Sequence, residues 1–376
     1  LDPADVVQFA FNDGRTLTNR ITQMQVGADF NIETASIRAG DPVYVPAESS
    51  SVSTSSVPST GVLTPAYAKM FVLDMPLLYD YHDLNRVSSR YYVAVGSDTT
   101  AFTSADLFQS LDGISFANFD SINADCTWGT IISGALPSPR ALHSTDFDNT
   151  FTVKLSVDNG DLSSVSDDDI ATGLINRALI YNKISGDVEV IQFKNVTANA
   201  DGTYTFDTLV RGRRGTDYAV GGHTAGEVFI LVTDATVSPQ ITDLSSIGTT
   251  RYFKAVSRGG SIGVAPPTGE LMESRDLKPY APNYVRRTDN ATDLTVLWNR
   301  RTRVGGQWNM GGDGIEPVPL NEDTEQYTCY LLLNSPTALE DLNPTDPATY
   351  VVSRQVTSEQ AVFTAAELAT GTYTLA

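Results

Sequence analysis

The chain has 376 residues, 41% of them hydrophobic, enough for two or three domains with cores of their own. Its 45 Asp and Glu against 25 Lys and Arg leave a formal charge of −20, a field that repels polyanions and argues against direct reading of nucleic acid. Two cysteines far apart, with no Cys-x-x-Cys or Cys/His spacing, argue against a disulfide framework or a zinc finger, and no apolar run approaches the roughly 20 residues of a membrane span.

The chain opens at Leu1 without a charged-then-apolar leader, so the expectation is a fragment that carries no signal peptide. Short alternating or apolar runs, cut repeatedly by Gly, Asp, Asn and Pro, predict a mainly β chain. Residues 5–11 read as a strand entering the turn Asn12-Asp13-Gly14, residues 20–26 as its hairpin partner, and residues 30–39 as a third strand. This gives a β-hairpin segment over 1–48. Residues 49–66, rich in Ser, Thr, Val and Pro, have too little bulk for a core and read as a linker or exposed loop.

A second β-rich region spans 67–278, with turn signals at Asp112-Gly113, Asn159-Gly160, Gly186-Asp187 and Asp201-Gly202 and strand-length runs between them, such as 187–193. Its best helix candidate starts at Ser166, which can cap Asp167-Asp168-Asp169-Ile170, the acids suiting the positive helix end. The three aspartates also invite a calcium reading, but the spaced ligands and closing Glu of an EF-hand loop are missing. Lys278-Pro279-Tyr280-Ala281-Pro282 marks a boundary, since the prolines favour extended chain. Beyond it, 279–376 reads as a small β-sandwich lacking its last strand, with 293–298 alternating towards a core Trp298 and 327–333 as a central strand. Cys126 and Cys329 are expected to be buried free thiols.

The most informative motif is Arg211-Gly212-Arg213-Arg214-Gly215-Thr216-Asp217, followed by His223, Gly226 and the apolar run 228–232. One reading is a phosphate or nucleic-acid loop, since guanidinium grips phosphate and glycine admits close backbone approach. The acidic surroundings oppose it, and no Gly-Lys-Ser or Gly-Lys-Thr follows to make a nucleotide P-loop. The other reading is a tight connection between strands, its glycines supplying positive φ and its arginines pairing with acidic side chains. Arg300, Arg301 and Arg303, just after Trp298, carry a similar choice: docking an acidic neighbour, or pairing within their domain with Glu322, Asp323 or Glu325. His82, His143 and His223 are too widely spaced for a local metal motif, and no Gly-x-Ser-x-Gly elbow accompanies them. Abundant carboxylates do not by themselves make a glycosidase pair, so no catalytic, cofactor-binding or metal residue is expected.

The combination of 211–216 with His223 and Gly226, then Trp298-Asn299-Arg300-Arg301-Thr302-Arg303-Val304-Gly305-Gly306, resembles the large tail-tip proteins of long-tailed bacteriophages and gene transfer agents, also called host-specificity or phage tail proteins. Leu73-Asp74-Met75-Pro76-Leu77-Leu78, Leu111-Asp112-Gly113 and Pro319-Leu320-Asn321-Glu322 occur in that family's order. The resemblance implies a non-enzymatic baseplate hub at the distal end of the virion tail, mainly all-β. Tail-tube-like β-barrel hub domains would be followed by a fibronectin type III-like sandwich over 279–376. It also implies a homotrimer in contact with a distal tail protein, the tail tube and a tip fibre, with a host surface receptor in reach. DNA would pass through the centre without sequence-specific binding, which suits an acidic wall. The cell-wall hydrolase segment and glycoside-hydrolase-like barrel of larger relatives are not visible in the sequence. The alternative is a carbohydrate-binding adhesin in which Tyr79, Tyr81, Tyr91, Tyr92 and Trp308 stack on sugars; strand alternation allows at most one of Tyr91 and Tyr92 to face outward, and core or subunit interface is the favoured place for them.

Overall fold

Alternation on both sides of Asn12-Asp13-Gly14 produces a hairpin in which β1 (Val6–Ala10) pairs antiparallel with β2 (Thr16–Val26). The Asp13 carboxylate fastens the turn by accepting the Arg15 amide at 3.1 Å and its Nε at 2.6 Å. β3 (Ile32–Arg38) completes a three-stranded sheet on the other edge of β2. This sheet belongs to one compact unit, Leu1–Thr64, and the rest of the chain to a second, Pro65–Ala376. The computed structural model describes residues 6–26, 32–38, 67–134, 136, 150–156, 162–171, 173–221, 223–289, 293–306, 310–311, 314–315, 318–333, 346–368 and 373–375. The expected linker 49–66 and the Asn159-Gly160 turn lie outside these residues.

The second unit begins with β4 (Ala68–Leu73), β5 (Ser89–Ser97), β6 (Ala105–Ser110) and β7 (Ala117–Ile122). Next come β8 (Trp128–Ser133), β9 (Phe151–Leu155), the short helix α1 (Asp167–Ala171), β10 (Arg177–Tyr181), β11 (Val188–Ala198), β12 (Tyr204–Arg213) and β13 (Val228–Leu231). Antiparallel pairing in the order β10-β11-β12-β9-β8-β13 closes a six-stranded barrel, because β13 pairs with both β8 and β10. Phe151, Phe193, Phe206 and Phe229 fill its interior with Ile131, Val153, Ile180 and Ile191. The Phe193 and Phe206 rings meet edge-on at 4.7 Å, and Phe206 lies 4.9 Å from Phe229.

Outward-facing Leu179, Tyr181, Val188, Val190, Val228 and Ile230 of the barrel are buried as well. They pack on Phe71 and Leu73 of β4, Tyr92 and Ala94 of β5, and Val237 of β14 (Val237–Thr242). This is why 228–231 is a continuous apolar run: both of its faces are dry. The sheet β14-β5-β4 turns its other face, with Met70, Val72, Tyr91, Val93 and Val95, onto Leu107, Phe253, Ala255 and Met272. Those residues belong to a third layer of order β16-β15-β6-β7, completed by β15 (Thr249–Ser257) and β16 (Thr268–Met272). β5 is thus the middle of a three-layer stack. Tyr91 and Tyr92 are 1% and 0% exposed, one in each interlayer core, so neither faces outward, within the limit of at most one that alternation set.

Helix α1 starts as expected. Ser166 Oγ accepts the Asp169 amide at 3.2 Å while Asp169 Oδ2 accepts the Ser166 amide at 3.2 Å, a reciprocal capping box. After the barrel and its flanking layers come β17 (Asn283–Asp289), β18 (Leu294–Asn299), the small hairpin β19 (Met310–Gly311) and β20 (Gly314–Ile315), β21 (Tyr327–Leu333), β22 (Val352–Val356), β23 (Gln360–Phe363) and β24 (Tyr373–Leu375). Sheets β17-β18-β23 and β22-β21-β24 share a core of Val296, Trp298, Cys329, Leu331, Ala361 and Phe363. Both cysteines are free and buried, and burial pushes their thiols up in pKa. The chain is therefore mainly all-β, with a six-stranded barrel and several sheets.

Phe206 touches three other phenylalanine rings inside the barrel. Phe206→Ala is expected to cost about 3 to 5 kcal/mol by leaving a cavity. Ile184→Ala, at a turn position 98% exposed, should stay within about 0.5 kcal/mol. Denaturant midpoints of the two variants check the contrast.

Candidate functional site

β11 and β12 run in register up to Gln192↔Val210 and then slip, so that Val190 faces Arg213. The extra residue sits in β12 at Arg211-Gly212, where Gly212 adopts φ +59, a left-handed conformation that glycine accepts without strain. Glu189 shares the inward face of β11 with Ile191 and Phe193, and it meets Arg211 at the end of the barrel interior. Arg211 Nε and Nη2 donate to Glu189 Oε1 and Oε2, each at 2.7 Å, and the Gly212 amide adds a third bond at 2.9 Å. Both side chains are 0% exposed.

His223 extends the network. Its Nε2 lies 2.6 Å from Glu189 Oε2 and its Nδ1 bonds Glu227 Oε2. Its backbone bridges to Leu136. With a carboxylate oxygen against each ring nitrogen, both nitrogens must carry a proton, which makes the ring an imidazolium. Burial acts to lower the imidazole pKa, but the hydrogen bonds and charges of Glu189 and Glu227 outweigh it and raise the value. Burial likewise acts to raise the Glu189 pKa, and the bonds from His223 and Arg211 with their charges win, lowering it. Arg211, Glu189, His223 and Glu227 thus form a row of alternating charge. Glu189 accepts four hydrogen bonds, which occupies its lone pairs and leaves none to activate a substrate.

The rest of the loop faces away from the barrel interior. Thr216 Oγ1 accepts the Val190 amide at 2.9 Å, beside the register slip, and donates to the Arg213 carbonyl at 2.7 Å. Gly215 lies at φ +78 under the Tyr280 ring, where a Cβ would stand 2.2 Å from a ring carbon, so two independent constraints demand glycine. Arg214 donates to the Leu77 carbonyl at 2.7 Å and to Asp80 Oδ1 at 2.8 Å. Asp80 Oδ2 in turn accepts the Gly305 amide at 2.7 Å. Arg301 bonds Asp217 at 2.5 Å and sits over Tyr280. The two arginine-rich motifs are therefore brought together, through Asp80 and Asp217.

Arg300 and Arg303 take partners within their own neighbourhood. Arg300 reaches Glu325 at 3.2 Å, and Arg303 bonds Glu322 at 2.9 Å and the Asp276 carbonyl at 2.6 Å. Asp323 pairs instead with Arg86 at 2.9 Å. Trp298 stands apart from the site in the sandwich core, edge-on to Tyr327 at 5.1 Å, and Gly226 contributes a backbone bond to Ile131 just before Glu227. Arg213 corrects the expectation that the loop arginines pair with acids. Arg211 and Arg214 do, but Arg213 bonds no carboxylate among the described residues. Burial first, and then the charges of Arg214, Arg177 and Arg301, lower its pKa.

Several essential residues were not singled out from sequence. Glu189 is the clearest, and an acid inside the apolar run 188–193 was the available signal. Asp74 accepts the amides of Ser274 and Arg275, each at 2.9 Å, and Asp276 accepts Ser89 Oγ at 2.6 Å and the Arg90 amide at 2.8 Å. Burial pushes the Asp276 carboxyl up to about 6. Of the aromatics offered as sugar platforms, Tyr79 and Tyr81 stack at 5.0 Å with Tyr81 70% exposed, while Trp308 lies outside the described residues. Among the described residues no group of three His, Cys, Asp or Glu is placed to hold a metal ion, and no helix is long and apolar enough to cross a membrane.

A model of the family described as Rcc01698-like, C-terminal, matches residues 126–230. That stretch covers most of the barrel and contains the arginine loop with Glu189, His223 and Glu227. Among curated proteins none matches the chain.

The network fixes a pH dependence. His223 has its pKa raised above 6.5, so its contribution is full below that value and is lost as pH climbs through the folded pKa. Glu189 has its pKa lowered below 4.5, so its contribution is present above that value and is lost as pH falls through the folded pKa. Melting temperature against pH should therefore decline on the alkaline side, and His223→Gln should flatten that limb. An unchanged alkaline slope in the variant would contradict the imidazolium assignment. Glu189→Gln, which removes the negative charge opposite the buried Arg211 and His223, should cost about 3 to 5 kcal/mol.

Proposed function

We propose that this chain is a structural segment of a phage-type tail tip, a baseplate hub that joins the tail tube to distal fibres and works by assembly. One observation carries the reading: motifs that look like a polyanion grip are consumed inside the fold. Arg211 is buried on Glu189, Arg214 is held by Leu77 and Asp80, and Arg301 and Arg303 lock the sandwich onto the barrel region. Guanidinium groups used this way act as rivets between layers and are not available to phosphate.

Further support comes from the Rcc01698-like match, which falls on the part of the chain that carries the resembled arginine loop. The fibronectin type III-like reading of 279–376 is favoured by two three-stranded sheets closing on Trp298. In this role the barrel is the tube-related element and the following sandwich an appended module. Asp80, bonded to both, transmits load between them without a flexible joint. The net charge of −20 lets DNA pass the tip without adhering. Three copies would surround that path, in contact with the distal tail protein and tip fibre and within reach of a host receptor.

Light scattering of the purified chain, at low and moderate salt, is expected to give a mass near three times 40.5 kDa. Antibodies to the chain should decorate the distal ends of tails in electron micrographs. A strict monomer that labels no tails but binds glycans would replace the hub reading with the adhesin. Asp80→Ala unties Arg214 and the Gly305 amide together. Cleavage around residues 278–282 under limited proteolysis should then accelerate severalfold, while affinity for duplex DNA stays at the background of the unaltered chain.

A further inference from the structure

Arg213 is the guanidinium that the riveting leaves over. Among the described residues it has no hydrogen-bond acceptor, it lies against Gly173, and the charges nearest to it are Arg214, Arg177 and Arg301. Arg214 is committed to Asp80 and Arg301 to Asp217. Arg177 is 3% exposed, donates Nη1 to the Leu78 carbonyl at 3.0 Å, and spans the Tyr79 ring at 4.2 Å. Its Nε is buried with no partner among the described residues. Asp234, the remaining acid nearby, accepts the Tyr79 hydroxyl. Asp234 keeps its charge beside Arg177, so the cation that bonds no carboxylate among the described residues is Arg213, on a chain of net −20. Concentrating like charges where water is scarce is costly unless an anion joins them.

Beside Arg177 opens a cavity of ≈ 440 Å³, lined also by Tyr79, Leu174, Ile175, Val232 and Asp234, and Arg213 reaches its edge where it lies against Gly173, next to Leu174. Leu174 and Ile175 are exposed at its rim. We propose that Arg213, backed by Arg177, is the receptor for a carboxylate on an acidic, partly apolar polypeptide segment of a partner protein. The carboxylate pairs with the Arg213 guanidinium, and an adjoining apolar side chain covers Leu174, Ile175 and Val232. Guanidinium matches a carboxylate with two parallel hydrogen bonds. The exposed Leu174 and Ile175 at the rim, with Val232, suit an apolar peptide side chain better than a phosphodiester backbone. A long polyanion also meets the repulsion of the whole surface, whereas a peptide with few acids feels mainly the local cations. The site goes beyond the tail-tip reading and does not depend on it.

The test is fluorescence anisotropy of a labelled peptide of alternating Leu and Glu, titrated with the full chain at low salt. Binding is expected to weaken with salt, to fall at least tenfold when Gln replaces Glu in the peptide, and to fall about tenfold in Arg213→Gln, a loss of about 1.4 kcal/mol. Melting of the variant separates lost binding from lost folding. If it does not fold, Leu174→Asp places a competing carboxylate at the exposed rim and should lower peptide affinity by a similar factor. Absence of peptide binding overturns the proposal, as does equal binding by Arg213→Gln, or by Leu174→Asp where that variant serves. Tighter, Arg213-dependent binding of inorganic phosphate or a DNA duplex than of the peptide overturns it in favour of a phosphate site.

Discussion

The bidentate pair between Arg211 and Glu189 is the interaction on which the rest of the second unit turns. Withdrawing both charges from water costs several kcal/mol per ion, and a single contact would not recover it. Recovery here comes from saturation: two bonds from Arg211, one from the Gly212 amide and one from His223 converge on a single carboxylate. An apolar pair of equal volume would fill the barrel end as well. It would not fix the slip between β11 and β12, because apolar contacts tolerate displacement along a strand, whereas a fork of hydrogen bonds to side chain and backbone together does not. Once the slip is fixed, residues 213–217 leave the barrel in one direction, toward Leu77, Asp80 and Tyr280.

That direction determines how the layers are locked. The carbonyls of Leu77 and Leu78, consecutive in the chain, are held by Arg214 and Arg177 from two different parts of the barrel region. The Leu78 amide donates to the Tyr92 hydroxyl, which also meets His82 Nδ1 at 2.8 Å. Burial, with the charges of Arg90 and Arg214 nearby, pushes the His82 pKa down to about 4, so this ring stays neutral where His223 is charged. The two histidines have opposite electrostatic fates because one faces carboxylates and the other faces arginines. On the far side of the middle sheet, Asp74 and Asp276 hold the 273–278 segment by its amides and by β5, and Arg303 takes the Asp276 carbonyl. Side chain to backbone bonds across layers do the joining, while the apolar cores supply the bulk of the cohesion.

What the sequence revealed follows the range of the forces involved. Strands at 187–193, 228–232 and 327–333, the turns at Asp-Gly pairs and the Ser166 cap are set by neighbours a few residues apart, and all are legible locally. For Tyr91 and Tyr92 alternation allows at most one outward ring but does not say that both are buried, because it marks an inside and an outside only when one sheet face is wet, and β5 has none. Closure of the barrel was equally hidden, since it depends on β13 finding both β8 and β10. The arginine loop could be assigned to structure from composition. Its partners could not, because Glu189 is 22 residues away, Asp217 and Arg301 are 84 apart, and Arg214 reaches back 137 to Leu77.

Charge is divided between interior and surface in a way composition conceals. Arg211, Arg214, Arg301 and Arg303 are neutralised by carboxylates inside the fold, whereas acids such as Asp167 and Asp323 keep most of their side chains in water. Each internal pair removes one charge of either sign from the outer surface, so the imbalance of 45 acids against 25 bases is carried by fewer exposed groups and is proportionally more acidic there. Such a field decays over about 8 to 10 Å at ordinary ionic strength, so it acts on a polyanion only at close quarters. On the proposed reading this suits a narrow passage, where DNA never leaves that range. The same segregation is what makes Arg213 conspicuous, because among the described residues it is a guanidinium that bonds no carboxylate in a fold that pairs its neighbours, a place that on the proposed reading an external carboxylate fills.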